Sequence, residues 1–157
     1  MKAISTVFLL IFLFTACESN LFPTSKSETE ENYTSKVSDG LEIELLLESD
    51  RISALHDIQA VFSLTNISEH DLTYDFPSGC QTGYQVKKRE NNIYDSTEDM
   101  VCTMATSAMN IAPGETKTIE ISPDHTKNTN LETGTYTLRA FLLEDHEVEI
   151  SVSFEVE

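Results

Sequence analysis

The end of the chain alternates residue by residue between apolar and polar, and this constrains the fold more than any other feature. Val148, Ile150, Val152, Phe154 and Val156 share one face, while Glu147, Glu149, Ser151, Ser153 and Glu155 share the other. Successive side chains of a strand leave opposite faces of a sheet, so the segment reads as a half-buried β-strand with one wet face. Leu41, Ile43, Leu45 and Leu47 alternate with Glu42, Glu44, Leu46 and Glu48 in the same way. Tyr136, Leu138, Ala140 and Leu142 repeat the pattern, with Phe141 and Leu143 making both faces apolar at that strand's end.

Further short strands are expected at 57–66, 71–76, 83–89 and 116–122. Turn residues separate them. Ser68-Glu69-His70-Asp71 and Asn91-Asn92 each join two strands, Gly134 opens one, and Glu144-Asp145-His146 closes a hairpin. Pro113-Gly114 puts Pro at i+1 and Gly at i+2, as a type II turn requires. The stretch 96–110 is the least regular and has room for a helical turn. The expected fold is all-β, an immunoglobulin-like antiparallel β-sandwich of about seven to nine strands over residues 41–157. There is no internal repeat and no sign of a second domain.

Charge narrows the partners. The 157 residues include 10 Lys+Arg against 27 Asp+Glu, a formal net charge of -17. Nucleic acid and anionic lipid surfaces are bound by clustered basic residues, so neither is an expected partner. His56, His70, His125 and His146 fall in or beside expected turns among acidic residues and read as solvated loop residues. No nucleophile elbow, zinc-protease helix motif, phosphate-binding loop or dinucleotide glycine cluster is present. The expectation is a non-catalytic protein without a cofactor. Met100, Cys102, Met104 and Met109 are soft ligands of the kind that suits Cu(I), although Met in such a segment is also ordinary core filler. The acidic run Asp95-Ser96-Thr97-Glu98-Asp99 lacks the glycine and spacing of a calcium loop and reads as solvated.

The beginning of the chain has a different character. Met1-Lys2 is a short basic segment, followed by the apolar run Val7–Phe14. A run of about eight residues is too short to span a bilayer, which takes about 20 in a helix, and it fits a secretory signal instead. Leu13-Phe14-Thr15-Ala16-Cys17 resembles the lipobox of bacterial lipoproteins, with Phe14 where Leu, Val or Ile is commoner. The resemblance implies a signal peptide at 1–16 and a lipid on Cys17. The protein would then be exported and held at the cell membrane or outer membrane by a lipid anchor only, facing the periplasm or the exterior. The alternative is a plain signal peptide cut after Ala16. Residues 17–40, rich in Ser, Thr, Glu and Asn without apolar periodicity, are expected to form a flexible tether. With Cys17 lipidated, Cys80 and Cys102 are left as a pair, suited to a disulfide in an oxidising compartment. The alternative is that they serve as metal ligands or free thiols.

The order of pieces in the domain resembles the bacterial intracellular proteinase inhibitor family, the BsuPI-like domain. The residues that carry the resemblance begin with a strand and Asn-x-Ser turn, Phe62-Ser63-Leu64-Thr65-Asn66-Ile67-Ser68, then Leu72-Thr73-Tyr74-Asp75-Phe76-Pro77-Ser78-Gly79. Tyr84-Gln85-Val86, the turn Ile111-Ala112-Pro113-Gly114-Glu115-Thr116 and the strand Gly134-Thr135-Tyr136-Thr137-Leu138 complete it. The chain departs from the family in having no Trp, in adding Cys80 and Cys102, and in carrying an export signal. The resemblance implies a sandwich that binds a protein partner, a proteinase. A sandwich offers edge strands and loops held by a rigid scaffold for such contacts. The segment between Cys80 and Cys102 is the expected recognition element, with Tyr84, Tyr94 and the basic triplet Lys87-Lys88-Arg89 as its binding residues. The triplet also fits the wet face of an edge strand, where charge discourages aggregation. Two other functions stay open, a structural or assembly module of the cell envelope and a periplasmic copper carrier using Met100, Met104 and Met109. The partner's identity and the oligomeric state are not encoded in any motif.

Overall fold

The computed structural model describes residues 28–30, 32–49, 51–123 and 129–157. The expected signal peptide at 1–16, Cys17, the first part of the tether and His125 lie outside the described residues. In chain order the strands are β1 (Glu28–Glu30), β2 (Tyr33–Ser38), β3 (Leu41–Leu47), β4 (Ala60–Asn66), β5 (Leu72–Phe76) and β6 (Thr82–Lys88). They continue with β7 (Asn91–Asp95), β8 (Ser107–Ile111), β9 (Thr116–Ile121), β10 (Gly134–Leu142) and β11 (Asp145–Val156). A short helix α1 (Ser96–Asp99) follows β7, and one 3-10 turn spans Leu55–Asp57.

Three antiparallel sheets result, with orders β1-β2-β3-β4-β9, β11-β10-β6-β7 and β5-β8. The alternating segments place their apolar faces as their period demands. Leu41, Ile43, Leu45 and Leu47 of β3 and Phe62 and Leu64 of β4 join Leu138, Ala140 and Leu142 of β10 and Ile150, Val152 and Phe154 of β11 in one core. The two larger sheets therefore share a core, with β11 packed against β2 and β3. This is the expected all-β, sandwich-like arrangement. Phe141, on the other face of β10, is also buried, its ring covered by the Arg139 guanidinium 4.6 Å from the centroid.

Among the described residues eleven strands are formed, more than the expected seven to nine, and the additions have local causes. Residues 28–38, read from composition as tether, carry β1 and β2. Asp39 (φ 48°) and Gly40 (φ 78°) turn the chain so that β2 pairs with β3 from Ser38↔Leu41 to Tyr33↔Leu46. Two consecutive left-handed residues match the twist of a two-residue hairpin, and Asp-Gly favours them. Tyr33 Oη donates to Glu44 Oε1 at 2.6 Å across this pair. The turn expected at Asn91-Asn92 lies two residues earlier, with Arg89 at φ 57°, because Asn91 and Asn92 already pair with Lys88 and Lys87 in β7. The last hairpin turns at Leu143-Glu144 (φ 69° at Glu144), so Asp145 and His146 already belong to β11. The Pro113-Gly114 turn forms as expected, with Gly114 at φ 76° and the Glu115 amide donating to Ala112 O at 2.9 Å.

One buried polar side chain ties several of these turns together. Asn66, at the end of β4, is fully buried. Its Nδ2 donates to His70 O and to Ile111 O, each at 2.7 Å, and its Oδ1 accepts from the amide and hydroxyl of Ser68 at 2.9 and 2.7 Å. Its backbone accepts from the Gly114 amide and donates to Glu115 O. A buried amide is tolerated when its bonds are made, and here both ends are satisfied. The Asn-x-Ser and Pro-Gly-Glu segments that carry the family resemblance thus form one knot of the scaffold.

Candidate functional site

Residues 100–106 run from α1 to β8 across one end of the molecule, and residues 101–106 are exposed without interruption to the start of β8. Val101 is 99% exposed and Met104 97%, more than any other large apolar side chain described. An isolated apolar residue on a surface is ordinary, but two such residues three positions apart on one short loop are not.

The loop is held from below by residues 78–81. Cys80 and Cys102 lie at disulfide distance, with 2.04 Å between sulfurs and 5.3 Å between Cα atoms. Beside this link the Gly79 amide donates to Thr103 O at 3.1 Å. A Cβ on residue 79 would overlap the Thr103 hydroxyl, so only glycine lets the two segments approach this closely. Where the loop rejoins the sheet, Ser107 Oγ donates to Ser78 O at 2.7 Å and accepts from Gln81 Nε2 at 3.1 Å. The ties at Cys102, Thr103 and Ser107 thus bracket Met104, Ala105 and Thr106, with Val101 next to the first of them. A depression beneath it is lined by Gly79, Cys80, Gln81, Thr82, Met100 and Met109.

The other end of the loop rests on α1, whose position is set by polar contacts to β6. Asp95 caps the helix, accepting from the Thr97 amide and hydroxyl at 3.0 and 2.6 Å and from Gln85 Nε2 at 2.6 Å. Burial alone would raise the Asp95 carboxyl, but the hydrogen bonds from Thr97, Gln85 and Asn92 outweigh it and hold the group below its ordinary value. The buried Ser96 hydroxyl accepts from the Tyr84 amide at 2.9 Å, fastening α1 to β6.

The residues expected from the sequence to bind the partner sit elsewhere. The segment between Cys80 and Cys102 is mostly the β6–β7 hairpin and α1, and only its last residues reach the exposed loop. The rings of Tyr84 and Tyr94 meet at a tilt of 39° across that hairpin, with centroids 5.7 Å apart, and pack against the core. Lys88 Nζ donates to Glu132 Oε2 at 3.2 Å and to Thr133 O at 3.1 Å, and lies 5.2 Å from the centroid of the Tyr136 ring. Tyr136 in turn donates to Glu132 O at 2.8 Å, so Lys88 helps hold the start of β10. Lys87, near the end of β6, and Arg89, in the turn that follows, are about 20–30 Å from Cys80 at the rise of a strand. The structure does not bring the triplet to the loop.

Of the candidate soft ligands, Met100 and Met109 share the depression and the others do not join them. Met109 is buried in the core, Met104 is exposed, and Cys102 is linked to Cys80. Among the described residues no group of His, Cys, Asp and Glu is arranged to hold a metal ion. His56 lies 3.3 Å from its neighbour Asp57, and His70 is exposed beside the Asn66 knot. Sequence reasoning singled out neither Val101 nor Thr103, placed Gly79 only in the family motif, and read Met104 as a soft ligand or core filler. The signal was an irregular stretch, Met100-Val101-Cys102-Thr103-Met104-Ala105-Thr106, too apolar for a solvated loop and lacking the period of a buried element.

Comparison with known proteins adds three findings. No curated protein matched the chain. A solved β-glucosidase involved in saponin metabolism from intestinal bacteria shares 20% identity with a TM-score of 0.39, the match covering 72% of this chain and 15% of the glucosidase. A family model described as intracellular proteinase inhibitor, BsuPI, matches residues 43–147, which run from within β3 to the start of β11 and take in the Asn66 knot and the clamped loop. The chain therefore belongs to the BsuPI family of intracellular proteinase inhibitors.

Proposed function

We propose that the protein is a proteinase inhibitor carried on a lipid anchor at Cys17, and that it presents the loop 100–106 to its proteinase. The observation that carries this reading is the clamped loop itself, with Val101 and Met104 almost wholly exposed above a base fixed by Cys80–Cys102 and Gly79–Thr103. Protein association loses affinity to loop ordering, and a loop already fixed avoids that cost. Each apolar anchor is worth about 1.5–3 kcal/mol when fully buried in a partner. The short side chains of Thr103, Ala105 and Thr106 leave room for a second backbone to approach. Membership of an inhibitor family supports the proteinase as partner. Tyr84, Tyr94 and Lys88 then act as scaffold behind the loop, and Lys87 and Arg89 as a charged margin at the turn between β6 and β7.

Export fits the same picture. A cysteine pair at disulfide distance suits an oxidising compartment. The Ala16-Cys17 lipobox supplies the anchor, and the excess of acidic residues keeps the domain from lying down on an anionic lipid surface.

The test is titration of the purified protein into chymotrypsin, elastase and a bacterial subtilisin. Inhibition should appear as a stoichiometric, saturable loss of peptidase activity that a Val101→Asp, Met104→Asp double variant abolishes. Intact-mass spectrometry of the protein from its native membrane should find diacylglyceryl and acyl groups on Cys17. A chain that inhibits none of the three enzymes and co-purifies with envelope proteins is a structural module instead.

A further inference from the structure

Sulfur is unevenly exposed in this domain. Met109 is 7% exposed and belongs to the core, Met100 is half-buried, and Met104 is 97% exposed. Cys80 and Cys102 are paired at disulfide distance and offer no thiol. The Met104 thioether is therefore the most accessible reduced sulfur among the described residues. Thr103 and Ala105 are exposed, short neighbours that leave it open to solvent oxidants.

We propose that Met104 is a modification site, whose reversible oxidation to the sulfoxide by a peroxide switches the loop off. The proposal rests on the reading of residues 100–106 as the inhibitory contact. In the step itself a sulfur lone pair of Met104 attacks one peroxide oxygen. The S–O bond forms as the O–O bond breaks, and the proton of the transferred oxygen passes to the departing hydroxide. Sulfur is oxidised by two electrons, hydrogen peroxide is reduced to water, and a sulfoxide reductase reverses the change with electrons from a dithiol.

The consequence follows from the position of the residue. A thioether is a flexible apolar group that fills an apolar pocket well. The sulfoxide carries a strong acceptor and no donor, so entering the same pocket strips water from an oxygen without replacing its hydrogen bonds. At Met109 the same change would be shielded by the core. At Met104 it falls on one of the two anchors that a partner must cover.

The experiment treats the full protein with dilute hydrogen peroxide, maps the oxygen by peptide mass, and titrates the product into whichever of chymotrypsin, elastase or subtilisin the untreated protein inhibits. Expected is oxygen on Met104 well before Met100 or Met109, inhibition weakened at least tenfold, and recovery after treatment with methionine sulfoxide reductases. Met104→Leu, which has no sulfur to oxidise, should keep after peroxide whatever inhibition it shows before it, whereas Met100→Leu should not protect. The switch is overturned if oxygen enters the three methionines equally, or if the Met104 sulfoxide inhibits as well as the untreated chain. An untreated protein that inhibits none of the enzymes overturns the inhibitor reading and the switch with it. That failure is distinct from a native inhibitor that merely ignores peroxide.

Discussion

Replacing both Cys80 and Cys102 with Ser separates two roles of one link. The link closes a ring of sequence separation 22. In the chain-entropy view a ring of that size restricts the unfolded chain by about 3 kcal/mol. With a urea m-value of about 1.5–2 kcal/mol/M, the unfolding midpoint should fall by about 2 M. The folded domain should survive, because Cys80 and Cys102 lie outside the core residues that join the two large sheets. The loop should loosen, since the Gly79–Thr103 bond and the Ser107 contacts remain as its ties among the described residues. Ordering the freed Val101 and Met104 side chains on binding costs about 0.5–1.5 kcal/mol each, which weakens inhibition about 5- to 150-fold. Urea unfolding followed by circular dichroism reads the first effect, and titration against the inhibited proteinase reads the second. Reduction of the native protein with dithiothreitol should reproduce both. A midpoint within about 0.5 M of native would refute the ring argument. Full loss of stability with inhibition unchanged would refute the claim that the bridge holds the loop in its binding shape.

The rest of the scaffold makes its own claims. Asn66→Ala leaves Ile111 O buried and unpaired, and should cost about 3 kcal/mol, a fall of about 10 °C in Tm. Asn66→Asp should be worse at neutral pH, because a carboxylate would face the carbonyls of His70 and Ile111; calorimetry of the three proteins checks the order. Gly79→Ala should destabilise by about 1–3 kcal/mol through overlap with the Thr103 hydroxyl, and adding Thr103→Ala should recover part of the loss. Acid should loosen the base of the loop. Asp95 sits below its ordinary value of 3.8 when folded, so its contribution is complete above that value and is lost as pH falls through the folded pKa. Asp95→Asn should flatten the acid limb of a midpoint-against-pH curve, and an unchanged slope would contradict the cap.

The parts of the fold legible in the sequence were those where one face is dry and the other wet. β3, β10 and β11 declare themselves by alternation because each has a clear inside and outside. β2 is half-buried along its length, so composition outweighed period, whereas β8 alternates but over only five residues behind an irregular stretch. The Asp39-Gly40 pair was a readable hairpin signal, hidden by its acidic, Ser-rich surroundings. The family motif was legible for the same reason that it says little about function. Asn66, Ser68 and Gly114 are kept by hydrogen bonds inside the scaffold, so they report the architecture. The exposed residues of the loop make few contacts within the chain, and no periodicity or turn rule constrains them. The basic triplet drew notice because charge stands out in an acidic sequence, and in the structure Lys88 is engaged at the start of β10.

The strand order has a further consequence for a chain severed at its loop. A cut between Met104 and Ala105 divides the domain into a part bearing β1–β7 and a part bearing β8–β11. These parts are interleaved: β8 lies on β5, β9 on β4, and β10 on β6. Each fragment completes the other's sheets, so a nicked protein stays a single particle with its new ends side by side. Hydrolysis at this bond would release nothing, and the two fragments made separately should assemble on mixing as a split protein.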